Sequence, residues 1–205
     1  DVPAEGRFYT SVNVTDLGGG DFRYDYAVFN LNSDRSGGSF SVPLNGAIPV
    51  AIGFNDVPYH SGESYDNTDW IVDVTANSIT WHSPQTFAEN ANSNALRWGT
   101  MYNFWFETNR GPTNGQATLG LFKPHSPQSV NFGASMPSAA AFTLGDMNCD
   151  GAVTVSDIGP FVLAVTDPAT YATQFPSCDI NLADLNGDDS VTVSDIGPFV
   201  ALVAG

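Results

Sequence analysis

Apolar and polar residues alternate along much of the first 124 residues. In residues 22–31, Phe22, Tyr24, Tyr26 and Val28 fall on one face of an extended chain. This alternation is typical of a strand with one buried face. Similar patterns predict strands in residues 8–14, 39–42, 47–54, 70–74, 78–82, 96–98, 101–108 and 116–122, with residues 109–115 as a turn. The fold class is therefore mainly β, and residues 1–124 are predicted to form a β-sandwich, jelly-roll or immunoglobulin-like.

The spacing of apolar residues becomes helical near the C-terminus. Apolar side chains recur at positions 158, 161, 162 and 165, and again at 196, 199, 200 and 203. This period predicts two helices. The residue before each, Asp157 or Asp195, is expected to cap it. Residues 125–143 lie between the two patterns and are predicted to be a linker or an extended strand on a neighbouring sheet, with a simple tether as the preferred interpretation.

The two helical patterns belong to a duplicated unit. The string V-T-V-S-D-I-G-P-F-V occupies residues 153–162 and, unchanged, residues 191–200. A twelve-residue segment that ends inside each string spaces oxygen-bearing side chains as a calcium loop does. The first loop supplies Asp146, Asn148, Asp150, the Ala152 carbonyl, Thr154 and Asp157, and the second supplies Asp184, Asn186, Asp188, the Ser190 carbonyl, Thr192 and Asp195. Two calcium ions are therefore expected.

The sixth position of each loop requires a sharp turn of the chain. Gly151 occupies it in the first loop, whereas Asp189 occupies it in the second. Aspartate tolerates a left-handed backbone better than most residues do. The second loop is therefore expected to fold.

Two calcium loops that each precede a helix, with no helix entering either loop, resemble the type I dockerin family. The resemblance covers residues 144–205 and implies a small α-helical domain with two calcium ions, two antiparallel helices and a pair of related binding faces. In that family the tenth and eleventh loop positions help to select the protein partner. Here they are Val155 and Ser156 in the first loop and Val193 and Ser194 in the second, an identical pair that would permit two docking orientations. The protein partners of type I dockerins are β-sandwiches of about the size of residues 1–124.

A second resemblance concerns the predicted sandwich. Residues 24–36 (Y-D-Y-A-V-F-N-L-N-S-D-R-S) and 94–106 (N-A-L-R-W-G-T-M-Y-N-F-W-F) resemble an uncharacterised sandwich that accompanies dockerin-like repeats in secreted bacterial proteins. This resemblance implies an extracellular or cell-surface setting and no particular activity.

Charge limits the classes of partner. The chain carries 22 acidic and 6 basic residues, a net charge of −16, so neither nucleic acid nor insertion into an anionic membrane is expected. Residues 145–205 contain nine aspartates and no lysine or arginine, and such a segment should need metal to fold. No run of 18 apolar residues is present to span a membrane. Because the chain opens on Asp1, we expect a processed or truncated product.

The two cysteines, Cys149 and Cys178, flank the same two-loop unit. In an oxidising compartment they are expected to form a disulfide, and the alternative is two free thiols.

The predicted sandwich contains two sets of residues that suggest chemistry. One is a polar loop with possible metal ligands or paired carboxylates for glycoside hydrolysis: Asp56, His60, Glu63, Asp66, Asp69 and, further on, His82. The other is four tryptophans that could stack on sugars, Trp70, Trp81, Trp98 and Trp105, of which Trp81 and Trp105 are expected in the core.

Three classes of function follow. We expect a non-catalytic calcium-binding structural protein whose tail docks on the sandwich of another copy, giving an extracellular head-to-tail filament. A different β-sandwich protein as docking partner is a rival interpretation. The alternatives are a carbohydrate-binding module carried on the tail and a glycoside hydrolase.

Overall fold

The computed structural model describes residues 1–3, 5–58, 62, 64–139, 143–176 and 178–204. The chain divides into two compact units, Asp1–Ala139 and Ala140–Gly205. In the part of the first unit that is described, nine strands are present. They are β1 (Phe8–Gly18), β2 (Asp21–Asn30), β3 (Gly37–Pro43), β4 (Ala51–Asn55), β5 (Ile71–Val74), β6 (Ser78–His82), β7 (Met101–Thr108), β8 (Pro112–Leu121) and β9 (Ser129–Pro137).

The strands form two antiparallel sheets, ordered β1-β2-β7-β4 and β5-β6-β3-β8-β9. Aromatic side chains join the sheets into a sandwich: the ring of Phe40 on β3 lies 4.6 Å from that of Phe104 on β7 and 5.4 Å from that of Tyr26 on β2. Apart from the β5–β6 hairpin, the remaining strands follow the A-B-E-D and C-F-G order of immunoglobulin constant-type sandwiches. The strand order thus favours the immunoglobulin-like alternative over the jelly roll.

The alternation in β2 is confirmed, because Tyr24, Tyr26 and Val28 are all buried. Trp81 is also in the core, as expected, whereas Trp105 is not. On β7 the buried positions are Tyr102, Phe104 and Phe106, which places Trp105 on the outer face of the sheet.

Two local predictions in the sandwich were wrong. Residues 96–98 do not form a strand: Leu96 makes only an isolated bridge to Gly37, and the chain turns at Gly99 with φ +75°. The turn predicted for residues 109–115 is shorter, because β8 already begins at Pro112 opposite Pro137.

Strand β9 corrects the preferred interpretation of residues 125–143 as a simple tether. Val130 and Phe132 are half-buried and Ala134 and Met136 are buried, so alternate side chains face the core. The pairing with β8 runs from Ser129 to Pro137. The strand alternative is therefore the correct one for this part of the segment.

The second unit contains three α-helices in its described part: α1 (Ile158–Thr166), α2 (Pro168–Gln174) and α3 (Ile196–Ala204). The same described part also contains three short 3₁₀ helices, Val155–Asp157, Ile180–Ala183 and Val193–Asp195. Helices α1 and α3 coincide with the predicted helical patterns, whereas α2 was not foreseen. Asp167 caps α2 by accepting a hydrogen bond from the amide of Thr170, and Pro168 occupies its first position. The buried core of this unit comprises Met147, Phe161, Ala164, Tyr171, Ala183 and Phe199. No helix in the described ranges is long and apolar enough to cross a membrane.

Candidate metal loops and docking face

Asp157, the twelfth residue of the first loop, is fully buried and holds both ends of the loop together. One carboxylate oxygen accepts hydrogen bonds from the backbone amides of Met147 at 2.8 Å and Asn148 at 3.0 Å, and the other accepts from the amide of Thr154 at 2.8 Å. The predicted cap is therefore wrong, since the Asp157 side chain makes no capping bond to α1. The side chain turns into the loop because three otherwise unpaired amides point there.

Asp146, the first residue of this loop, is also fully buried. Its carboxylate accepts hydrogen bonds from the amides of Asp150 at 3.2 Å and Gly151 at 3.0 Å. The first and last loop aspartates thus both face the loop backbone.

The second loop repeats this arrangement 38 positions later. Asp195 is fully buried and is equivalent to Asp157. Asp184 is equivalent to Asp146. The Asp195 carboxylate accepts hydrogen bonds from the backbone amides of Leu185, Asn186 and Thr192. The Asp184 carboxylate accepts hydrogen bonds from the backbone amides of Asp188 and Asp189. These donors are equivalent to those of the first loop. The duplicated sequence therefore has a duplicated backbone structure.

The pKa of Asp195 reflects two opposed effects. Burial raises it, but hydrogen bonds from the amides of Thr192, Asn186 and Leu185 together hold the pKa below its ordinary value. The side chain is therefore an ionised acceptor at neutral pH, which is the form that a cation requires.

The sharp turns fall at the fourth and sixth positions of each loop. The backbone is left-handed at Cys149 and Gly151 in the first loop, with φ of 58° and 95°, and at Gly187 and Asp189 in the second, with φ of 74° and 62°. The expectation that Asp189 tolerates this conformation is confirmed.

The predicted ligands of each loop are all oxygens, the donor type that calcium prefers. The third and fifth side chains are already oriented, because Asn148 accepts a hydrogen bond from the Asp150 amide and Asp150 from the Ala152 amide, both at 2.9 Å. An oxygen with one such bond keeps a second lone pair. The described residues contain no group of three or more His, Cys, Asp or Glu side chains that could hold a metal ion as they stand; half of the expected donors are of other types.

A disulfide joins Cys149 in the first loop to Cys178, with their Cα atoms 5.8 Å apart. Cys178 follows α2, so the bond links the first loop to the segment that leads into the second.

Helices α1 and α3 together present an exposed apolar face. The rings of Phe161 and Phe199 stack at its centre with centroids 3.9 Å apart. The exposed side chains around this pair are Val155, Ile158, Val162, Val193, Ile196 and Val200, and we call this set the duplicated apolar face. Part of it lines a groove of about 340 Å³. Of the predicted partner-binding residues, Val155 and Val193 belong to this face, and Ser156 and Ser194 are exposed beside them.

The polar loop of the sandwich is only partly described. His60 and Glu63 lie outside the described residues. Asp66 accepts hydrogen bonds from the Thr68 hydroxyl and amide, which lower its pKa.

The other candidates in this region are described. Asp69 is exposed, the Asp56 carboxylate accepts a bond from the Asn94 amide group, and His82 lies 3.2 Å from Asp73. These contacts are typical of a hydrogen-bonded surface, and a lowered pKa does not suit Asp66 as a general acid.

The four tryptophans have three different environments. Trp70 and Trp81 are buried in the core, and Trp105 lies flat over Gly53, where a Cβ atom would overlap the indole. The guanidinium of Arg23 covers the ring of Trp105 at 3.9 Å. Trp98 alone among these four is exposed, to 63%.

Comparisons with known proteins found similarity among solved structures. No family model and no curated protein matches this chain. Among solved structures, it is similar to the exo-β-N-acetylglucosaminidase of Vibrio harveyi in complex with N-acetylglucosamine, at 12% identity and a TM-score of 0.36, over 63% of this chain and 17% of that one.

A pilin and a fimbrial adhesin are similar at the same level. The major pilin SpaD of Corynebacterium diphtheriae is 10% identical with a TM-score of 0.41, over 63% of this chain and 35% of that one. The Actinomyces fimbrial adhesin FimA is 14% identical with a TM-score of 0.28, over 64% of this chain and 48% of that one. This chain spans less than half the length of these proteins, and similarities this distant carry no functional argument.

Proposed function

We propose that this protein is a secreted, non-catalytic structural protein whose second unit is a dockerin-like, calcium-binding docking tail. The tail docks on the β-sandwich of the next copy and so builds a head-to-tail extracellular filament. The observation that carries this proposal is the duplicated loop-and-helix unit. Its two loops have equivalent backbone hydrogen bonds, and its two helices share one exposed apolar face.

Calcium accounts for the composition of the tail. The first ion would be held by Asp146, Asn148, Asp150, Ala152, Thr154 and Asp157, and the second by Asp184, Asn186, Asp188, Ser190, Thr192 and Asp195. Nine aspartates without a lysine or arginine repel one another in residues 145–205. Two divalent cations would offset part of that repulsion and so couple binding to folding.

The duplicated apolar face supports a docking role. Side chains such as Val155 and Val193 are 72% and 73% exposed, and contiguous apolar surface of this kind marks interaction sites on soluble proteins. The chain itself contains a β-sandwich, the kind of partner that dockerins bind. A contact between two different surfaces of identical subunits propagates as a filament unless it closes into a ring.

One observation favours a second candidate, a carbohydrate-binding module on the same tail. Trp98 presents an exposed aromatic side chain on the sandwich, and such a ring can stack on a sugar. This candidate predicts binding to a neutral glycan that requires Trp98 and does not require calcium.

Assembly in the presence and absence of calcium tests the main proposal. Light scattering and electron micrographs should show polymers in millimolar calcium and dispersed subunits after chelation. The double variant Val162→Asp/Val200→Asp, which places like charges on both halves of the apolar face, should remain monomeric with calcium bound. A wild-type protein that stays monomeric at high concentration in calcium would contradict the filament.

A further inference from the structure

One end of the outer face of the four-stranded sheet is apolar. Tyr9 on β1 is paired with Phe29 on β2, and Phe29 with Met101 on β7. Directly paired residues point to the same side of a sheet. Their chain neighbours Val28 and Tyr102 face the core, so these three side chains point outward, with Tyr9 53% and Met101 47% exposed.

Two further side chains extend this surface. Leu31 follows β2, and its amide donates to the carbonyl of Arg7, which continues the ladder toward the same end. The amide of Gly99 donates to the carbonyl of Asn30, which brings the preceding Trp98 to that end as well. Leu31 and Trp98 are both exposed. We call Tyr9, Phe29, Leu31, Trp98 and Met101 the sheet patch.

The rest of this outer face is largely polar. Arg23 bonds Asp25 and Glu107 and covers the ring of Trp105, and Thr15 is paired with Arg23. The sheet patch is therefore a bounded apolar surface with a polar margin, as in protein interaction sites.

We propose that the sheet patch is the surface that receives the duplicated apolar face of a second copy. This inference rests on the proposed function, which requires a receiving surface and does not identify one. Both surfaces consist largely of exposed apolar side chains, and a second copy supplies the complementary surface at equal concentration. Leucine and methionine in the patch suit a helix surface better than they suit a sugar.

Charge also favours this location. The tail carries nine aspartates and no lysine or arginine in residues 145–205. At the margin of the sheet patch beside Leu31, the exposed guanidinium of Arg7 is ion-paired with Asp1, and this pair has no net charge. A second exposed apolar strip, formed by Ile48, Val50 and Ile52, lies in a segment, residues 47–57, that contains no lysine or arginine and one aspartate. The acidic tail is therefore repelled less by the neutral margin of the sheet patch than by the second strip, whose segment carries the charge of Asp56.

Complementation between two defective variants tests the inference. The patch variant is Met101→Glu/Trp98→Ser, and the tail variant is Val162→Asp/Val200→Asp. Each should be monomeric alone in calcium, with association weakened at least about tenfold. An equimolar mixture should form one-to-one dimers and nothing longer, because it contains one intact patch and one intact tail. Val50→Asp is the matched control and should polymerise like the wild type.

Because Trp98 and Met101 are both exposed, the patch variant should match the wild type in its circular dichroism spectrum and in its calcium titration. If Met101→Glu unfolds the sandwich, the single variant Trp98→Ser replaces the double variant. A patch variant that polymerises normally, while the tail variant does not, would overturn this inference and leave the proposed function intact. A patch variant that forms dimers through its tail alone would assign a tail-to-tail contact instead. If Trp98→Ser loses glycan binding but assembles normally, the sheet patch is a carbohydrate-binding surface and not the docking surface. A monomeric wild type would overturn the proposed function itself.

Discussion

The rings of Phe161 and Phe199 are nearly parallel, with an interplanar angle of 2° and centroids 3.9 Å apart. The two residues occupy the same position in the two copies of the repeat, and each is 2% exposed. The two copies of the repeat therefore contact each other through equivalent residues in the core of the second unit, and the exposed apolar side chains surround this contact. The same pair thus stabilises the unit and supports the proposed docking face.

Truncation of either ring should destabilise the second unit to a similar extent. Phe161→Ala and Phe199→Ala are each expected to lower its free energy of unfolding by about 3 to 5 kcal/mol, since a buried aromatic ring and its stacking partner are lost. Chemical denaturation followed by circular dichroism would measure both. Phe161→Leu is the milder control. Markedly unequal losses would contradict the equivalence of the two repeats.

Removing the last aspartate of a loop should remove one calcium ion. Asp157→Asn and Asp195→Asn keep the side-chain size but delete a charge, and calorimetric titration should give one ion for each variant against two for the wild type. At free calcium a thousandfold above the dissociation constant, each site should add about 4 kcal/mol of stability. Asp21→Asn, an exposed change on the sandwich, should alter neither result. Two ions retained in both variants would refute the assigned loops.

Glycine is needed at position 151 for its backbone and not for space. Neither Gly151 nor Gly159 has another atom close to where a Cβ would lie, but only Gly151 has a positive φ, at 95°. Gly151→Ala should therefore cost about 1 to 2 kcal/mol, whereas Gly159→Ala in α1 should stabilise by about 0.5 kcal/mol. Thermal unfolding of both variants and the wild type at one saturating calcium concentration would compare them in the folded, metal-bound state. Equal effects would show that φ is not the cause.

The disulfide should stabilise the second unit mainly by restricting its unfolded state. Cys149 and Cys178 are separated by 29 residues, and closing a loop of that length contributes about 3.5 kcal/mol. The variant Cys149→Ser/Cys178→Ser should lose about this amount, and the reduced wild type should lose the same. Mass spectrometry of unreduced, denatured protein treated with a thiol reagent should find no labelled cysteine; two labels would disprove the bond.

Alkaline pH should weaken the sandwich through its buried tyrosines. Burial raises the pKa of Tyr24 to about 12, above an unfolded value of about 10, while its hydroxyl donates to the carbonyl of Arg110 at 2.7 Å. The folded state favours the neutral form of Tyr24. Its contribution to the free energy of unfolding is therefore fully present below pH 10 and is lost as the pH rises toward 12. Burial raises the pKa of Tyr26 and Tyr102 as well.

The stability difference between the wild type and Tyr24→Phe should therefore shrink over that alkaline range. Denaturation at a series of pH values would measure it, and Tyr9→Phe, at an exposed position, is the control. If the stability difference stays constant between pH 10 and pH 12, the raised pKa of buried Tyr24 does not contribute to stability as expected.

Several features followed from local sequence alone. The alternation in β2 predicted its buried face, because period-two alternation needs no knowledge of the neighbouring strands. Helices α1 and α3 followed from their apolar period, and the tolerance of Asp189 for a left-handed backbone followed from its side chain. The repeat predicted equivalent loops, since both loops place the same side-chain hydrogen-bond acceptors at the same positions.

Other signals were present in the sequence but were not used. Residues 130, 132, 134 and 136 alternate as a strand does, yet the prolines and serines of that segment favoured a tether. Asp167 followed by Pro168 is a helix start that would have predicted α2.

Tertiary structure alone decided which surfaces are exposed. Trp105 lies outside the core because β7 directs Phe104 and Phe106 inward and Gly53 on β4 leaves room for the indole. The sheet patch depends on the pairing of β2 with β7, which are far apart in the chain. Local patterns specify the direction of a side chain relative to its own strand, but strand pairing determines which side chains become neighbours, and that depends on the packing of the whole sandwich.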